Sequence, residues 1–341
     1  MKNRPFSRLV TFLCMALFLA LAPPVFAGGS APVEAMEVSA RPITQFRIGS
    51  EEKQFGPLEF VGGLEMTSYS RDFGGLSAFR FLEPGGDFIG VADTGFWFFG
   101  TLTRDAALRP TGMENFRMMR MVDAAGRPLD TKGKADAEGL AVRNGIATVG
   151  FERNHRIAQF RIDPAAMAAP FRQLDFLVPR RELRQNRGFE TVVASDPAGP
   201  LKGALVIVSE KSLDPAGNNF AAVLSGPHKG VFTVKRDGTA FDITDGAFLS
   251  NGDLLVLERS FSLMAGVKMR LRRLGGAGIV GGGVADGPVL MEADMSYQID
   301  NMEGLDVWRR SDGALMVSLV SDDNNSILQR NLYLEFILHA E

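Results

Sequence analysis

Asp136-Ala137-Glu138-Gly139-Leu140-Ala141-Val142 leads through Asn144-Gly145 into Ile146-Ala147-Thr148-Val149-Gly150-Phe151 and closes on Glu152-Arg153. This is an apolar strand, a two-residue turn and a second apolar strand that ends in an acid. Asn-Gly between apolar runs is a strong short-range hairpin signal, because both central residues of the turn must tolerate a positive φ. The unit recurs as Thr244-Asp245-Gly246-Ala247-Phe248-Leu249 with its turn at Asn251-Gly252-Asp253 and the end Glu258-Arg259. It recurs again as Asn301-Met302-Glu303-Gly304-Leu305-Asp306-Val307 with Asp312-Gly313 and the end Asp322-Asp323. Looser copies begin at Gly74-Gly75-Leu76-Ser77, ending near Asp93, and at Gly188-Phe189-Glu190-Thr191, ending at Glu210-Lys211.

The copies start near residues 74, 137, 189, 245 and 302. A spacing of about 50 to 60 residues suits a four-stranded antiparallel blade with long loops. The expectation is an all-β, six-bladed β-propeller. Its sixth blade is assembled from both ends of the chain, residues 58–66 and 332–338, closing the ring and removing free sheet edges. Helix is expected only as short loop segments at 164–169, 179–185 and 113–120. Six glycines within 275–283, with no Lys-Ser/Thr after them, read as an inter-strand connection and not as a phosphate-cradling loop.

The N-terminus sets Lys2, Arg4 and Arg8 before an apolar run over 9–22, then Pro23-Pro24-Val25-Phe26-Ala27. That order is a secretory signal peptide, cut after Ala27. The run is short for a membrane span of roughly 20 residues, so no stable span is expected after cleavage. Residues 28–57 read as an extension or linker and 58–341 as the propeller domain. Cys14 is the only cysteine and leaves with the leader, which excludes a disulfide or a thiol nucleophile and suits a periplasmic or secreted protein with a large core. A net charge of -3 argues against general affinity for nucleic acid or anionic membrane.

Five motifs stand in order: Gly-Gly-Leu-Ser-Ala at 74–78, Asp-Ala-Glu-Gly-Leu-Ala at 136–141, Arg-Gly-Phe-Glu at 187–190, Leu-Glu-Arg-Ser-Phe at 257–261 and Asp-Asn-Met-Glu-Gly-Leu at 300–305. Together they resemble the phytase-like propeller family, described as having esterase-like activity of phytase. The resemblance implies a six-bladed propeller, an exported location and a hydrolase of phosphoesters or carboxylic esters acting on a small molecule. It carries no catalytic set, and the motifs of calcium-dependent propeller phytases do not match this chain residue by residue.

A rotational repeat gathers its acids around the axis, and two rings follow. One holds Glu138, Glu190 and Glu303, with Asp245 at the matching place; the other holds Asp93, Glu152, Glu210, Glu258 and Asp322. Converging carboxylates either raise one another's pKa or recruit a hard cation such as Ca²⁺. The metal set expected is Glu138, Glu303, Asp322 and Asp323, with Asn301, Asn324 and Asn325 as neutral oxygen donors. Glu138, Glu190, Glu303 and His155 are the catalytic candidates, and Arg153, Arg156 and Arg259 the anion clamps. Inter-blade ion pairing is the competing role for these same side chains. Arg270, Arg272 and Arg273 read as a solvated outer strand, His228 and His339 as loop and terminal residues, and Phe96-Trp97-Phe98-Phe99 as inter-blade core.

No Gly-x-Ser-x-Gly elbow and no His-Glu-x-x-His helix occurs. The alternative to a hydrolase is a non-catalytic propeller that binds a protein or cell-envelope ligand on its top face, since fold alone does not choose function.

Overall fold

The computed structural model describes residues 32–184, 188–238 and 241–339. The leader at 1–27, its cleavage after Ala27, Cys14, Gln185 and Arg187 lie outside the described residues.

Alternating apolar strands that present two faces must bury both, and here they do so by stacking sheet against sheet around an axis. Five sheets form. Their innermost strands, Leu76–Phe81, Ala137–Arg143, Thr191–Ala194, Asp242–Phe248 and Asn301–Arg309, each lie beside the next, and the last lies beside the first. The protein is therefore an all-β propeller of five blades, not six. Each blade begins with one of the five sequence copies.

The strands expected to build a sixth blade complete the fifth instead. Its order from the axis outward is Asn301–Arg309, Leu315–Asp322, Asn331–Leu338, Leu58–Thr67 and Ser39–Ile43. Tyr333 faces Leu64 and Leu338 faces Leu58 across the antiparallel junction of the two chain ends. The last copy contributes three strands, and Leu58–Thr67 pairs with the edge of the third.

The described part of 28–57 also contributes to the blades. Val33–Ala35 pairs on the outside of the first blade, Ser39–Ile43 on the outside of the fifth, and Gln54–Phe55 beside Leu58–Thr67. The segment from Val33 to Ile43 thus ties the first and fifth blades together.

Hydrophobic side chains fill five layers, one per blade junction. In the first blade Trp97 and Phe99 pack toward the second, while Phe96 and Phe98 pack toward the fifth. That split is the period-two alternation of a strand buried on both faces, and it matches the core role expected of this aromatic run.

The helix expectations fare less well. Residues 113–120 lie within the strand Pro110–Arg120, where apolar cross-strand partners outweigh helix propensity. Residues 164–169 hold only a turn, and the described part of 179–185, residues 179–184, holds the 3₁₀ turn Arg180–Glu182 and no α-helix. Among the described residues one short α-helix, Lys132–Ala135, stands just before the second inner strand.

Candidate functional site

Four of the five inner strands carry a β-bulge at the same place. The pairing register slips between Leu76 and Ala78, Ala137 and Gly139, Ile243 and Asp245, and Met302 and Gly304. The extra residues are Ser77, Glu138, Thr244 and Glu303; Glu190, immediately before the third inner strand, is their counterpart. A bulge re-aims the side chain it inserts, and here Ser77, Glu138, Glu190 and Glu303 turn into one cavity of about 240 Å³ at the axis.

The glycine that follows Glu in the repeat has a matching cause. A Cβ on Gly139 would stand 2.8 Å from the carbonyl oxygen of Glu190, and one on Gly304 2.6 Å from Val320 Cγ2. Inner strands converge toward the axis, and only glycine allows the bulged backbone so close.

A second tier comes from the ends of the neighbouring strands: Asp93, Glu152, Glu210, Arg259 and Asp322. Asp136, Lys132 and Arg153 complete the charged wall, so eight carboxylates face three cations. All three cations are engaged. Lys132 lies 2.9 Å from Asp93, Arg153 2.7 Å from Asp136, and Arg259 2.8 Å from Glu303. Two carboxylate trios, Asp93 with Asp136 and Glu138, and Glu152 with Glu190 and Glu210, can each bring one oxygen per residue to within 4.8 Å of the others. At such separations two charges repel by about 3 kcal/mol at a protein-like effective dielectric.

Titration follows from this crowding. Burial first, and then the charges of Glu152 and Asp136, hold Glu138 well above the usual carboxylate range. Glu190 is held there by burial and by Glu138 and Glu152. Burial pushes Glu152 up to about 7 against the opposing hydrogen bond from the Gly188 N–H. Glu303 reaches about 7 through burial, despite Arg259. Asp322 also reaches about 7, through burial and then repulsion from Asp93.

Of the catalytic candidates, Glu138, Glu190 and Glu303 share the cavity, and His155 does not line it. The His155 ring packs edge-on to Phe189 and beneath Gly188, and burial lowers its pKa. Among the anion clamps Arg153 and Arg259 line the cavity. Arg156 is drawn off over the Phe151 ring, 3.7 Å from its centroid, and donates to backbone carbonyls of Lys134 and Asn154.

Of the expected metal set, Glu138, Glu303 and Asp322 line the cavity. Asp323 faces away from it: Asn331 donates to its carboxylate at 2.8 Å, and it lines a separate surface cleft. Asn324 is at the cavity wall, and its N–H donates to Asp322 at 2.9 Å. Asn301 donates to Glu303 at 2.8 Å.

Two ring positions differ from expectation by one residue. Thr244, not Asp245, is the bulged residue of the fourth blade. Asp245 lies deeper and fully buried, where both its oxygens accept from Arg80 at 2.7 and 2.8 Å and the Leu305 N–H donates at 2.8 Å. Likewise Arg259, not Glu258, reaches the cavity. Glu258 points between the third and fourth blades, ion-paired with Arg270 and, at 2.8 Å, with Arg272. Those arginines are therefore buried and not solvated, while Arg273 pairs with Asp253 at the outer turn. Asp136 and Lys132 escaped the sequence reading; the acid directly before the Ala-Glu-Gly bulge was their one available signal.

A family model described as "Phytase-like: Esterase-like activity of phytase" matches residues 71–325. Among solved structures the chain is similar to several at low identity. The PQQ-bound aldose sugar dehydrogenase of Streptomyces coelicolor is 12% identical with a TM-score of 0.42, covering 89% of this chain and 99% of its own. An endo-arabinase of Bacteroides thetaiotaomicron is 12% identical with a TM-score of 0.48, covering 80% and 96%. Glutaminyl cyclase of Myxococcus xanthus is 12% identical with a TM-score of 0.40, covering 83% and 97%. No curated protein sequence matches closely enough to count as a relative.

Proposed function

The chain belongs to the phytase-like family, and from that membership together with the acid-lined cavity we propose that it is an exported hydrolase of phosphoesters or carboxylic esters. The observation that carries the proposal is the bulge-positioned ring: register slips in the inner strands, with Glu190 as their counterpart in the third blade, aim Ser77, Glu138, Glu190 and Glu303 at one point, and three of these are acids that repel. Such strain is retained where a site needs it.

The donor set fits a hard dication. Every available ligand atom is a carboxylate, amide or hydroxyl oxygen, the acids outnumber the cations, and Asp93 Oδ1 is buried with no hydrogen-bond partner among the described residues. Asp93, Asp136 and Glu138 would hold one Ca²⁺, and Glu152, Glu190 and Glu210 a second. When bound, calcium supplies polarisation of a phosphoryl or carbonyl oxygen and lowers the pKa of a coordinated water.

The chain's own residues do the rest. Arg259, at the rim and already oriented by Glu303, orients an anionic oxygen of the substrate. Glu303 Oε1 is ion-paired with Arg259 and accepts from Asn301. That leaves Oε2 to hold a proton for the leaving oxygen, and a carboxyl near pKa 7 is suited to that role at neutral pH.

The test uses protein beginning at Gly28. Elemental analysis should find calcium, and p-nitrophenol release from phosphate or acyl esters should require it and drop at least a hundredfold in Glu138→Ala and Glu303→Ala with the fold retained. A chelator that changes neither melting temperature nor turnover sinks the calcium part. No turnover over a broad ester panel, with a partner captured, supports the alternative of a non-catalytic binding propeller. N-terminal sequencing of exported material should begin at Gly28.

A further inference from the structure

Beside the acid cavity a larger groove of about 750 Å³ opens between loops of the third, fourth and fifth blades, and the two share Glu210, Arg259 and Asn324 as common wall. Its sides are apolar and unusually bare. Phe261 and Val267 come from the hairpin of strands Leu254–Ser262 and Gly266–Leu274, Met295 from the loop after Val289–Ala293, and Leu328 from the loop between Leu315–Asp322 and Asn331–Leu338. Phe261 is 65% exposed, Met295 50% and Leu328 87%. Leu263 and Met264 at the same hairpin tip, and Ile327 beside Leu328, are also exposed. Three segments from two blades thus raise large apolar side chains around one groove, where isolated exposed hydrophobics would be scattered.

The charged floor of the groove is already satisfied within the protein. Asp242 pairs with Lys211 at 2.5 Å and Arg236 at 3.2 Å, and Asp300 accepts from the Asn301 N–H at 2.9 Å and the Arg330 N–H at 3.1 Å. A ligand in the groove therefore finds contact area more than free charge. The cavity next to it offers the reverse: little room, eight acids and three cations that are all paired.

We propose that the substrate is amphiphilic: a single phosphoryl or acyl ester head sits against Arg259 in the acid cavity, and an apolar alkyl or acyl chain lies in the groove walled by Phe261, Met295 and Leu328. This deepens the hydrolase reading and rests on it for the head group alone. Each methylene adds roughly twofold to affinity in a half-open groove that hides about half of it from water, so the groove sets specificity through KM.

The decisive measurements are two series on the calcium-loaded protein. Calorimetry with methyl-, butyl- and octylphosphonate should show affinity rising at least tenfold from methyl to octyl, and KM for p-nitrophenyl acetate, butyrate and octanoate should fall in parallel. The double variant Phe261→Ser/Leu328→Ser, at two exposed positions that carry no core packing, should abolish both gradients and leave methylphosphonate binding and acetate turnover unchanged.

Octylphosphonate that binds no tighter than methylphosphonate, or a gradient that survives in the double variant, overturns the inference. If no ester is cleaved but the phosphonate gradient stands, the hydrolase reading fails and the apolar groove holds. If esters are cleaved with no dependence on chain length, the hydrolase reading holds and the groove does not receive the chain. If the double variant loses binding to phosphatidylglycerol vesicles while the phosphonate gradient persists, the apolar loops serve membrane contact and the proposal is wrong.

Discussion

Glu258 and Arg259 are neighbours in one strand, yet one is locked between blades and the other lines the axial cavity. Strand neighbours face opposite sides, so a one-residue difference in register exchanges structure for site. Glu258 is fully buried against two guanidinium groups. Glu258→Gln should therefore cost about 3–5 kcal/mol, the range for breaking a buried pair, measured by urea unfolding, while calcium binding stays unchanged. Glu190→Gln should act in the other direction. At a pH high enough to ionise the trio, removing one of its charges should raise the melting temperature of the metal-free protein and shrink the stabilisation that calcium adds. Equal melting temperatures for the variant and the parent in chelator would show that the trio is not electrostatically strained.

At the scale of the element, the bulge with its glycine is the unit that makes the site. The recurrent Glu-Gly pair was visible in the copies at 138 and 303, and the looser copy at 188 supplied Glu190, the third acid of the inner ring. That the fourth blade places Thr244 at the bulge was hidden, because Asp245-Gly246 mimics the Glu-Gly pair while the register slip falls one residue earlier. Asp245 serves the interior by neutralising Arg80. Gly139→Ala places a Cβ against the Glu190 carbonyl and Val192. It should destabilise the protein by about 1–3 kcal/mol, as overpacking does, and should also lower calcium affinity, since both Glu138 and Glu190 would shift. A variant as stable as the parent by urea titration would show that the inner strands have room to separate.

For the whole molecule, the gathered acids link folding to pH and to metal. Glu152, Glu303 and Asp322 titrate near 7 in the folded protein, against about 4 when unfolded. Between those values the folded state keeps protons that the unfolded state has shed, so stability is fully present below about pH 4 and drains away as pH rises through about 7. In chelator the melting temperature should fall from about pH 5 to about pH 8; calcium should oppose the fall, and a flat profile would contradict the clustering. Deleting the chain through Thr67 should leave the edge of Asn331–Leu338 unpaired and yield aggregates by size-exclusion chromatography. The sequence alone determined the all-β repeat, its five copies, the buried aromatic alternation and the acids that recur with it, because period-two patterning and turn chemistry are local. Only the tertiary structure decided the number of blades, the union of both chain ends in the fifth, and which acid of each copy reaches the axis. Those depend on strand register and on how many sheets their twist lets pack around one centre, and no local stretch of chain records either.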